Sequence, residues 1–60
     1  MNTSKMEYAV ELTNQLGEKM VAVVLAVSSA EAIEIAKREN STRGFVEFTG
    51  RIKLAGDTEE

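Results

Sequence analysis

"MVAVVLAV", residues Met20 to Val27, decides the fold. Eight successive residues are apolar, and Val, the commonest of them, favours strand over helix. Alternate side chains of a strand point to opposite faces, so this run is apolar on both. One face has to lie on a core. The other is either a contact surface or a row of residues tolerated in water.

The neighbouring sequence supplies the rest of the sheet. Upstream, from Met6, Tyr8, Val10 and Leu12 alternate with Glu7, Ala9, Glu11 and Thr13. That alternation predicts a half-buried strand. "NQLG", Asn14 to Gly17, has turn formers at both ends and predicts a hairpin into the apolar run. Downstream, Ser28 and Glu31 have capping-box spacing, in which the cap hydroxyl accepts from the third helical amide and the Glu reaches back to the cap's own amide. The following "AEAIEIAKREN" contains good helix formers and no Gly or Pro. Ala32, Ile33, Ile35 and Ala36 share one face, while Glu31, Glu34, Lys37 and Arg38 share the other. Asn40, Ser41, Thr42 and Gly44 mark the end.

"GFVEFTGRIKLAG", from Gly44, predicts the third strand. Val46, Phe48, Ile52 and Leu54 fall on one face; Phe45, Glu47, Thr49, Arg51 and Lys53 fall on the other. Gly50 marks a bulge or a close approach of the helix backbone. Because the parity is unchanged across it, one long bent strand is preferred over two short ones. The order is ββαβ. The expected fold is α+β: a two-layer sandwich with one helix on a three-stranded, mainly antiparallel sheet. Either of the first two strands can take the centre. A single domain spans 1–60, with an ordered core over about 6–55 and flexible tails at 1–5 and 56–60.

The better candidates for the helix-facing side of the second strand are Val21, Val23, Leu25 and Val27, because they are the larger set. Met20, Ala22, Val24 and Ala26 then lie on the open face beside Ala9 and Phe45. This is the expected partner or dimer interface. Glu7, Glu11, Glu47, Arg43, Arg51 and Lys53 are its candidate charged contacts.

Composition excludes much chemistry. The 60 residues include no Cys and no His. Disulfides, thiolate metal sites, imidazole ligands and the usual neutral-pH acid/base are therefore absent. A chain this short buries only about 60% of its unfolded surface, so a good core or self-association has to stabilise it. The serines lie in the N-terminal stretch, the helix cap and the helix exit, and none has a base beside it in sequence. Glu7 and Glu11 share a strand face but sit about 13 Å apart, too far to work as a pair. The four glycines are too dispersed for a phosphate loop. No catalytic, cofactor or metal site is expected. No apolar stretch approaches the roughly 18 residues of a membrane span, and the expected location is the cytoplasm.

The net charge is −3, unevenly spread. Residues 37–53 are basic, with Lys37, Arg38, Arg43, Arg51 and Lys53 against Glu39 and Glu47. Arg43, Arg51 and Lys53 near Phe45 suggest a basic sheet face for nucleic acid as an alternative. Glu47 interrupts that row, and edge-strand Lys and Arg also serve to prevent aggregation.

The layout "YAVELTNQLGEKMVAVVLAVSSAEAIEIAKREN", a hairpin before a Ser-x-x-Glu-Ala helix start at Ser28 to Ala32, resembles small accessory proteins of phages and mobile elements. Anti-CRISPR inhibitors belong to that set. The resemblance is one of architecture and covers about residues 6–54. It implies a non-catalytic protein-binding module that inhibits or modulates a host protein complex in the host cytoplasm. A homodimer is the expected assembly. A small subunit or assembly factor of a larger enzyme is a further alternative.

Overall fold

The hairpin fixes everything that follows. In the computed structural model, which describes residues 5–55, β1 (Met6–Thr13) and β2 (Lys19–Ala26) pair antiparallel. Asn14 builds the turn between them. Its side-chain carbonyl accepts from the amides of Leu16 (3.0 Å) and Glu18 (2.9 Å). Its backbone amide donates to the Glu18 carbonyl at 3.1 Å. Gly17 completes the turn at φ +82°, a left-handed conformation that favours glycine. The result sets Thr13 opposite Lys19 and Leu12 opposite Met20.

That register overturns the expected facing of β2. Directly opposed residues in an antiparallel pair share a face. Met20, Ala22, Val24 and Ala26 therefore lie on the same side as Leu12, Val10, Tyr8 and Met6, under the helix. Val24 and Ala26 are buried, and Met20 and Ala22 are half-buried against the same cluster. Val21, Val23, Leu25 and Val27 are exposed. Side-chain volume suggested the opposite choice, but loop length sets the parity, and a one-residue slip would reverse it. The small residues also have a use there. Ala22 and Ala26 lie on the face that receives Ala32 and Ala36, which are both fully buried.

The helix, α1 (Ser29–Asn40), starts as its cap predicts, with one difference. Ser28 Oγ accepts from the Glu31 amide at 3.2 Å. The Glu31 carboxylate accepts from the amide of Val27 at 2.8 Å, one residue before the cap. At the other end the buried Asn40 donates from Nδ2 to the Ala36 carbonyl at 2.8 Å. A 3₁₀ turn, Ser41–Arg43, and Gly44 at φ +87° then redirect the chain.

β3 (Glu47–Leu54) pairs antiparallel with the other edge of β1, giving the order β2-β1-β3. β1 is thus the central strand. The architecture is an α+β, ββαβ layer pair with α1 packed on one face of an open three-stranded sheet. The core is Val10, Leu12, Val24, Ala26, Ala32 and Ala36, surrounded by half-buried residues that include Ile33, Ile35, Phe48 and Ile52.

β3 is one strand with a bulge. Val10 lies opposite Ile52 and Leu12 opposite Phe48, so three residues, Thr49 to Arg51, face Glu11 alone. Gly50 takes φ +103°, and nothing lies within 4 Å of where its Cβ would be. The glycine therefore serves the bulge and not a close approach of the helix. Parity survives, as Phe48 and Ile52 both face the core. Of the expected tails at 1–5 and 56–60, Lys5 is exposed just ahead of β1, and residues 1–4 and 56–60 lie outside the described residues. No helix among the described residues is long and apolar enough to cross a membrane.

Candidate interaction surface

The sheet face away from α1 is the broadest feature the fold leaves open. β2 contributes Val21, Val23 and Leu25, with relative exposures of 58%, 58% and 56%. Each is opposed on β1 by Glu11, Ala9 and Glu7 respectively. Lys53 lies opposite Ala9 on the other side. The face is thus an apolar row along one edge, a small or acidic middle strand, and a polar third strand with two cations.

Glu11 ties the middle to the bulge. Its carboxylate accepts a 2.7 Å hydrogen bond from Thr49 Oγ1 and lies 3.9 Å from Arg51 Nε. The Arg51 side chain is 86% exposed, so this ion pair contributes little to stability. The Thr49 contact is the firmer one and holds the bulged segment against β1. The bulge opens a shallow depression lined by Ala9, Glu11, Val21, Gly50, Arg51 and Lys53.

The residues expected to form the interface separate. Ala9 alone among the apolar set lies on the open face, and it is 8% exposed because Val23 and Lys53 flank it. Met20, Ala22, Val24 and Ala26 belong to the helix side for the reason given above. Phe45 leaves the open face as well. It precedes β3, its amide donates to the Asn40 carbonyl at 3.2 Å, and its ring packs on the core. Strand parity does not extend back beyond Glu47, where β3 begins, which is why alternation misplaced it.

The charged candidates divide too. Glu7, Glu11, Glu47, Arg51 and Lys53 share the open face, with Glu47 opposite Thr13 at the start of β3. Arg43 sits in the 3₁₀ turn and lines a separate depression at the hairpin end, with Asn14, Leu16, Gly44 and Val46. With Phe45 in the core and Arg43 elsewhere, the aromatic-and-basic row of the nucleic-acid alternative is not assembled. Among the described residues no three acidic or other ligating side chains converge.

Sequence reasoning missed the row Val21, Val23 and Leu25 as a surface. The signal was present: with Tyr8, Val10 and Leu12 facing the core, a five-residue connection from Asn14 to Glu18 puts even-numbered residues of β2 on that side. No protein-family model, curated protein or solved structure matches the chain.

Proposed function

We propose that the protein is a non-catalytic interaction module that presents its open sheet face to a larger protein. The observation that carries this reading is the row of Val21, Val23 and Leu25, three branched aliphatic side chains side by side, each more than half exposed. Single exposed aliphatics are ordinary, whereas a contiguous apolar patch rimmed by charge marks a contact surface. Glu7, Glu11, Arg51 and Lys53 supply that rim and would set orientation and specificity more than affinity. Inhibiting or modulating a cytoplasmic complex requires only such a surface, and no reactive group.

The test uses the immobilised protein to capture partners from a lysate of its source cells, with identification by mass spectrometry. Wild type is compared with the double variant Val21→Lys/Leu25→Glu, which charges the row while leaving the helix side intact. A stoichiometric partner held by wild type and lost by the folded variant is the expected result. Equal capture by both would refute a role for this face.

A further inference from the structure

We propose that β2 pairs, edge to edge and antiparallel, with β2 of a second copy of this chain, about a two-fold axis through Val23. The sheet has two edges, and they are built differently. β3 carries Glu47, Arg51 and Lys53 and is interrupted by the bulge at Gly50. Charges and bulges are the devices by which edge strands resist pairing. From Met20 to Ala26, β2 has neither: its register is regular, and it contains no charge and no Pro.

The backbone groups that face outward can be named. Residues of an antiparallel strand bond alternately to one neighbour and to the other side. Asn14 donates across the hairpin to Glu18 at 3.1 Å, and Ala55 donates to Glu7 at 2.8 Å. Even-numbered residues of β1 therefore bond to β2, and odd-numbered ones bond to β3. In the observed register Met20, Ala22, Val24 and Ala26 bond inward. The N–H and C=O groups of Val21, Val23 and Leu25 point to the open edge.

The edge is self-complementary about Val23. Val21 falls opposite Leu25 of the second copy. On the helix side Ala22 meets Val24, and Met20 meets Ala26, a small residue against a larger one in each pair. About six backbone hydrogen bonds form along this ladder. Opposed residues share a face, so both helices lie on one side. Because α1 rests chiefly on β2 and β1, the two helix axes stand about 10 Å apart, close to packing distance. An eight-residue strand about 27 Å long in a two-layer molecule gives a contact on the order of 1,000 Å² in total, the lower bound of a specific interface. The dimer uses the edge of β2 and leaves the open face accessible, with two apolar rows side by side.

Light scattering and amide hydrogen exchange on the full chain, across protein concentration, test the pairing. The expected mass is about twice 6.6 kDa, with the Val21, Val23 and Leu25 amides slowed on the order of 100-fold relative to open ones. Val23→Pro removes an outward N–H at a position where an edge strand tolerates proline. It should give a folded monomer, whereas Val23→Thr should remain dimeric. If Val23→Pro does not fold, exchange of the wild-type amides decides alone. A concentration-independent monomer whose three outward amides exchange freely would overturn the proposal. So would a dimer that survives in folded Val23→Pro, or a monomer whose edge amides are protected only on adding a captured partner. Val21→Lys/Leu25→Glu keeps opposite charges facing across the two-fold axis, so loss of capture with an intact dimer strikes the face reading alone. Loss of the dimer with capture intact strikes this one alone.

Discussion

Val21 and Val24 carry the same side chain three positions apart in one strand, and their fates differ. Val24 is 6% exposed beneath α1, and Val21 is 58% exposed on the other side. A carboxylate at position 24 would be placed among Val10, Leu12 and the helix alanines with no partner for its charge. Val24→Glu should cost about 3 kcal/mol or more, comparable to the whole stability of so small a domain. Far-UV circular dichroism should show no cooperative transition. Val21→Lys should melt within a few degrees of wild type. The reverse outcome would mean that the facing of β2 is inverted. Alternation along the strand reveals that two faces exist, but the choice between them depends on a partner strand six or more residues away, through the geometry of Asn14 and Gly17.

At the scale of elements, what was legible in the sequence is what local chemistry controls. The ends of α1 follow from Ser28 and from Asn40 to Gly44, and the strands follow from alternation. What was not legible arose where elements meet. Phe45 departs from the alternation because the strand begins two residues later, after Gly44 has turned the chain. Glu31 serves Val27 in place of the cap amide because the chain bends sharply from β2 into α1. The bulge was marked by Gly50, but its size was not: three residues facing Glu11 show only when β3 is laid against β1. Gly50→Ala should destabilise by about 1 kcal/mol through its φ of +103° alone, since the added methyl meets nothing within 4 Å. A shift in urea midpoint with an unchanged slope is the expected signature. A neutral result would mean that the bulge relaxes.

The whole molecule is a small core with one sheet face and one sheet edge unspent. The proposed dimerisation through β2 would couple folding to association, so the melting temperature should rise with concentration. For a domain of this size the rise is roughly 3–5 °C per tenfold, measurable by calorimetry. A flat melting temperature would place the edge of β2 in water. The sequence by itself determined the number and kind of elements, the caps and the absence of thiol and imidazole chemistry, because propensity, alternation and residue identity are local properties. Only the tertiary structure decided that β1 is central, that the smaller half of "MVAVVLAV" lies under the helix, and that Val21, Val23 and Leu25 form the exposed row. Those depend on register, and register is a relation between strands that the periodicity within either one does not contain.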